Sequence, residues 1–148
     1  MPHTAALTIT NPVLCGVTRD SDAWGDGRFG ASRGDRRHNG VDIVARFGQD
    51  VLSPVDGRIV RMAYPYANDT VLSGVMIEGL GRHGGLEIKI FYMTPADGMV
   101  GQSVTAGQTI GAAQSLQAKY PGITDHIHLE VRQNGVVRDP QSLIPDLR

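Results

Sequence analysis

The sequence is poor in the features that most directly force a structural answer. Cysteine occurs once, at Cys15, so no intrachain disulfide can form and the fold must stand without covalent staples. That argues against a disulfide-stapled secreted module. Net charge is nearly absent, at −1, and Lys and Arg are dispersed, so a polyanionic partner is not expected and nucleic-acid binding is set aside. No apolar run approaches the roughly 18 residues that span a bilayer, so no membrane span is expected. The opening residues Met1-Pro2-His3-Thr4 contain neither a basic nor an apolar leader region, so no signal peptide is visible.

What is present is ordinary in bulk and particular in pattern. The 148 residues, 41% hydrophobic and 20% charged, suit one soluble domain with a core of its own. Nineteen glycines and eight prolines imply frequent chain reversal. Between them lie short, β-branched apolar runs at Val41 to Val44, Arg58 to Met62, Val71 to Ile77, Leu86 to Tyr92, Thr109 to Gly111 and Ile127 to Val131. Runs of strand length bounded by Gly, Pro, Asn or Asp predict an all-β fold, an antiparallel two-sheet sandwich with long loops and at most one or two short helices. A single helix is expected over Ala112 to Tyr120, stopped by Pro121-Gly122. One domain should cover 1–148, with 1–27 as an N-terminal wrapping segment. The glycine-rich stretch 16–40 reads as an ordered loop pinned by Trp24 and Phe29, with a floppy arm as the alternative. Arg33, Arg36 and Arg37 read as the rim of a site.

Two segments carry the chemistry. In His126-Ile127-His128 a strand puts both imidazoles on one face and Ile127 on the other, alongside Leu129 and Val131. Two adjacent imidazolium rings repel, so the pair favours neutrality or a bound cation, while an exposed pair is the bland alternative. In His38-Asn39-Gly40-Val41-Asp42 the Asn-Gly calls for a turn and Val41 enters a strand, leaving His38 and Asp42 able to reach one point. Two histidines and a carboxylate with an open fourth position is the donor set of catalytic zinc.

These segments, with Gly48-Gln49-Asp50-Val51, Pro54 to Val60, Gly107 to Gly111, the run His126 to Val131, and Asp139-Pro140, resemble the lysostaphin/LytM-type zinc endopeptidases of family M23 over residues 28 to 140. Phe91 to Pro95 and Tyr120 to Ile123 are similar to the leukocyte-derived chemotaxin-2-like branch, whose members are secreted zinc-binding proteins regarded as lacking peptidase activity. The resemblance implies zinc held by His38, Asp42 and His128, with His126 acting on a zinc-bound water or the tetrahedral intermediate. It implies a peptidoglycan peptide as substrate; with no leader visible, a protein made in the cytoplasm is expected to act in the periplasm or cell wall after export or lysis. A delivery or immunity protein is a further partner that this route implies. Active members also carry a histidine in a Tyr-x-His stretch; Thr94 stands at that position. Losing one such electrostatic stabiliser costs roughly 10²- to 10³-fold in rate, so a zinc-binding module without peptidase activity is the competing expectation.

Other residues read more plainly. His83 is expected in a surface turn, with folding over the cleft as the alternative. Tyr92 is expected in the core with a satisfied hydroxyl, the alternative being that it fills the gap left at Thr94, and His3 is expected as a solvated terminal residue. Asp139 should cap the turn at Pro140. Asp125 and Glu130 could orient a ring of the pair, solvent exposure being the default. A biotinyl or lipoyl carrier would need a lysine in an exposed hairpin turn, which neither Lys89 nor Lys119 offers.

Overall fold

A computed structural model describes residues 6–33, 36–37 and 39–148. The described residues form twelve strands: β1 (Ser32–Arg33), β2 (Arg36–Arg37), β3 (Val41–Val44), β4 (Asp50–Leu52), β5 (Gly57–Ala63), β6 (Gly74–Gly79), β7 (Leu86–Phe91), β8 (Met93–Pro95), β9 (Ser103–Val104), β10 (Thr109–Ala113), β11 (His126–Gln133) and β12 (Val136–Arg138). A large antiparallel sheet runs β12-β11-β7-β6-β5-β9, with β3 added against β11, and a smaller sheet runs β4-β10-β8. β1 and β2 pair antiparallel in a sheet of their own, shortly before His38 in the sequence. The two-sheet, nearly all-β sandwich expected from the apolar runs is the fold observed.

Alternation explains the packing. In β7, Leu86, Ile88 and Ile90 are buried while the residues between them are half-buried. In β11, Ile127, Leu129 and Val131 are fully buried. They meet Val41 and Ile43 of β3, Ile59 of β5, Val75 and Ile77 of β6, and Val51, Met93 and Ile110 of the smaller sheet in one continuous core. Each fully buried aliphatic side chain contributes about 1.5–3 kcal/mol relative to exposure. A second, smaller apolar cluster of Leu72, Leu116 and Ile123 lies beneath three tyrosines, Tyr66, Tyr92 and Tyr120.

The expected helix over Ala112 to Tyr120 does not form. Gly111, Ala112 and Ala113 are committed to the ladder with β8 (Pro95, Thr94 and Met93). Only one turn follows, where the Tyr120 N–H donates to the Leu116 carbonyl at 2.8 Å before Pro121 stops it. Among the described residues helix is confined to two 3-10 turns, Gly81–His83 and Pro140–Ser142. Asp139 caps the second of these, its Oδ1 accepting from the Gln141 N–H at 2.9 Å, as its place before Pro140 predicted.

The described part of the wrapping loop is tied down by backbone hydrogen bonds as well as by Trp24. Thr18 bridges Ile43 of β3. The Arg19 N–H donates to the Asp42 carbonyl and the Asp42 N–H to the Gly27 carbonyl, both at 2.8 Å. Trp24 adds an indole N–H to the Pro121 carbonyl at 3.1 Å.

Gly40 has a packing role that the Asn-Gly turn signal does not reveal. A Cβ there would lie 2.2 Å from the Leu129 carbonyl oxygen and 3.0 Å from His128 Nε2. Glycine therefore lets the chain before β3 press directly on β11. Gly40→Ala should cost about 1–3 kcal/mol, the range of overpacked sites, and should shift the His128 ring resonances in an NMR spectrum. An unchanged urea midpoint would contradict the close approach.

Candidate metal centre and cleft

β3 and β11 are antiparallel neighbours in which Asp42 stands directly opposite His128. The pleat that sends Ile43, Ile127 and Leu129 into the core sends Asp42, His126, His128 and Glu130 to the other face. That face is the floor of a cleft of about 420 Å³, walled by Phe91, Tyr92, Tyr66, Tyr120 and Trp24.

Asp42 is the hub. Its Oδ1 lies 2.9 Å from His128 Nδ1. Its Oδ2 lies 3.4 Å from His126 Nε2 and accepts from Arg19 Nε at 3.2 Å and Nη2 at 3.0 Å. His128 is gripped on both nitrogens, because Nε2 faces Glu130 Oε2 at 3.0 Å. Phe91 stacks on the same ring, with centroids 5.8 Å apart and planes 10° apart. His126 Nδ1 lies 2.7 Å from the Thr124 carbonyl. A carbonyl only accepts, so Nδ1 carries the hydrogen and the lone pair of the neutral ring is on Nε2, the nitrogen nearest Asp42 Oδ2.

The two imidazoles are driven in opposite directions. Burial pushes the His126 pKa below its ordinary value, more than the neighbouring Asp42 charge lifts it. Burial also opposes charge on His128, but hydrogen bonds to Asp42 and Glu130 outweigh it and push its pKa up to about 9. The same bond to His128 lowers the Glu130 pKa. Neighbouring groups pushed apart in this way supply an acid and a base from one residue type.

Several sequence-based expectations are refined here. Asp42, His126 and His128 are brought together. His38 and His3 lie outside the described residues. Glu130 does not default to solvent but orients His128, whereas Asp125 turns away to accept from the Leu116 N–H at 3.0 Å and from Gln117 at 2.9 Å. His83 is neither a surface residue nor part of the cleft. It is buried, its Nδ1 accepting from the Asp56 N–H at 2.8 Å, which leaves Nε2–H to donate to the Thr8 carbonyl at 3.0 Å. Thr94 is exposed in β8 opposite Ala112, and Tyr92 takes the place on the cleft wall.

Arg19 was missed. Its guanidinium is 2% exposed and also reaches the Gly25 carbonyl and Asp22 Oδ1, both at 2.9 Å. No local motif marks it, since its partner Asp42 is 23 residues away.

The donor chemistry accords with zinc. A carboxylate oxygen and an imidazole nitrogen converge, and the imidazole has a carboxylate behind its other nitrogen, the usual backing of a metal-binding histidine. Donors on one tetrahedral zinc ion stand roughly 3.3 Å apart, so the 2.9 Å between Asp42 and His128 is within a few tenths of ligand spacing. Among the described residues no group of three or more His, Cys, Asp or Glu side chains is set to hold a metal ion by itself.

A sandwich with a histidine–carboxylate centre at the floor of an open cleft is the build of a metallopeptidase-like domain. The chain belongs to peptidase family M23, whose profile matches residues 36–140. Leukocyte cell-derived chemotaxin-2 of Bos taurus is 37% identical over 113 residues, 76% of this chain and 71% of that protein. Helicobacter pylori Csd3 superposes with a TM-score of 0.67 at 26% identity, covering 93% of this chain and 35% of that one. A zinc containing peptidase from Vibrio cholerae superposes with a TM-score of 0.52 at 26% identity, covering 70% of this chain and 29% of that one. The chain thus spans about a third of the length of these two structures.

Two outcomes follow. The raised pKa of His128 means that its ion pair stabilises the metal-free fold fully below the unfolded value near 6.5 and is lost as pH rises through about 9. Denaturant unfolding of the metal-free protein should show stability falling by on the order of 3 kcal/mol across that window, and the fall should vanish in His128→Ala. Arg19→Ala removes the guanidinium from the buried Asp42 carboxylate and should cost about 3–5 kcal/mol. A melting temperature within a degree of the parent protein would contradict the role assigned to Arg19.

Proposed function

We propose that the chain is a zinc-dependent endopeptidase that hydrolyses peptide bonds in bacterial peptidoglycan, with His126 as its proton-handling residue. The observation that supports this most is the opposed state of the two imidazoles sharing Asp42 at the floor of an open cleft in a family M23 domain. Asp42 and His128 would hold the zinc ion together with His38, the third ligand that the family resemblance implies. When bound, zinc supplies Lewis acidity, acidifying a water molecule and polarising a carbonyl.

The remaining work falls to the chain's own groups. Thr124 fixes the tautomer of His126 through Nδ1–H, which leaves the lone pair on Nε2, beside Asp42 Oδ2 at the cleft floor. Its lowered pKa keeps that lone pair available at neutral pH, which suits a group that accepts a proton and later returns it. Glu130 and Phe91 hold the His128 ring in one orientation. Arg19 occupies Asp42 Oδ2 and so directs Oδ1 toward His128.

A second reading, a zinc-binding module without peptidase activity, is favoured by one observation. Among the described residues lining the cleft, His126 and His128 are the only imidazoles, and the second catalytic histidine that active members carry has no counterpart at Thr94. Digestion of purified peptidoglycan followed by mass spectrometry separates the two. The peptidase reading expects new muropeptide termini, lost with chelator and regained with zinc, and a drop of about 10²- to 10⁴-fold in His126→Ala. Unaltered muropeptides at high load of zinc-loaded protein would remove it.

A further inference from the structure

The cleft wall contains a group of hydroxyls that the proposed mechanism does not yet use. The Tyr66 Oη lies 3.0 Å from the Tyr92 Oη and also hydrogen-bonds the Tyr120 Oη. The three rings stand on the small apolar cluster of Leu72, Leu116 and Ile123, which fixes them from behind. The Tyr92 ring also meets the His126 ring edge to face, with centroids 5.4 Å apart and planes at 89°.

Hydrogen-bond arithmetic shows what such a trio can do. Three phenols bring three O–H protons, and the two bonds among them use two. Among the described residues the three hydroxyls bond only to one another. One O–H therefore always remains to be donated into the cleft. When Tyr120 donates to Tyr66 and Tyr66 to Tyr92, that remaining donor is the Tyr92 hydroxyl, beside His126. A chain of this kind is polarised along its length, which strengthens the terminal bond.

Two further observations accord with a functional Tyr92. Its φ is +68°, a left-handed backbone conformation that is strained for a non-glycine residue. The surroundings hold it there: the Tyr92 N–H donates to the Ser73 carbonyl at 2.7 Å, and the Gln114 N–H donates to the Tyr92 carbonyl at 2.8 Å. The consequence is a phenol on the cleft wall in the stretch where the family resemblance leads to Thr94. Burial also pushes the Tyr92 pKa up to about 12, so the hydroxyl stays protonated at neutral pH.

We infer that Tyr92 is a catalytic residue, donating a hydrogen bond from its hydroxyl to the oxyanion that forms when a substrate carbonyl is attacked, with Tyr66 as the positioning residue that aims it. This rests on the peptidase reading of the cleft. The hydroxyl keeps its proton throughout, and no bond to Tyr92 is made or broken. A neutral donor aimed at the developing charge does the work of the second imidazole without needing to be protonated first. Tyr92 differs in this from Thr94, which lies outside the cleft lining.

The test uses the zinc-loaded full chain and an alanyl-alanine phosphinate, whose tetrahedral anionic group imitates the oxyanion. Calorimetry should find phosphinate binding weakened about 10²-fold in Tyr92→Phe, with a smaller loss in Tyr66→Phe and the least in Tyr120→Phe. Melting temperatures of all three should stay near that of the parent, since every ring is retained. In the peptidoglycan digest, Tyr92→Phe should lower kcat by a similar factor with KM unchanged. Equal phosphinate affinity in parent and Tyr92→Phe, or no phosphinate binding by the parent, overturns the inference. Because the binding arm needs no turnover, a parent that binds phosphinate through Tyr92 yet leaves peptidoglycan intact would remove the substrate reading while sustaining the oxyanion donor.

Discussion

The pairing of β3 with β11 is the constraint on which the rest depends. It sets Asp42 opposite His128 and, one pleat away, puts His126 within reach of the same carboxylate. The alternating residues Val41, Ile43, Ile127 and Leu129 are buried without exposure. A slip of one residue would turn that apolar set outward and the polar set inward. Core packing therefore enforces the register, and the register places the polar centre, so the chemistry is positioned by residues that take no part in it.

The carboxylate at the hub has more neighbours than a ligand role requires. Asp42 meets a guanidinium on one oxygen and an imidazole on the other, with a second imidazole alongside. The guanidinium belongs to the wrapping loop. Asp22 of that loop accepts from the Thr124 N–H at 3.1 Å, and Thr124 in turn holds the tautomer of His126. The loop is thus joined to both ends of the centre. It behaves as part of the site's scaffold, although its composition resembles that of a linker.

Much of this was legible in the sequence because it follows from short-range periodicity. The period-two pattern of His126 to Val131 and the Asn39-Gly40 signal before Val41 identified both strands of the centre and which side chains share a face. What was not legible depended on distance along the chain or on competition between neighbours. Arg19 and Asp42 are separated by 23 positions, and nothing local to either announces the other. The helix propensity of Ala112 and Ala113 lost to ladder bonds with β8. His83 sits in a short turn beside glycines, which reads as surface, yet the N-terminal segment crosses it and the Thr8 carbonyl buries it. Thr94 was matched by its place in a Tyr-x-His pattern. The backbone at Tyr92 adopts a left-handed φ, and it is the Tyr92 ring that lines the cleft.

Trp24 is the chain's single tryptophan, and it stands on the wall of the cleft with its indole N–H tied to the Pro121 carbonyl and its ring against Tyr120, 5.2 Å between centroids. It is nonetheless 45% exposed. All the indole emission of this protein therefore originates at the mouth of the cleft, with no interior fluorophore to mask it. Anything that enters and displaces water from that ring changes the colour or intensity of the whole signal. The fold carries a built-in optical gauge of cleft occupancy that needs no label.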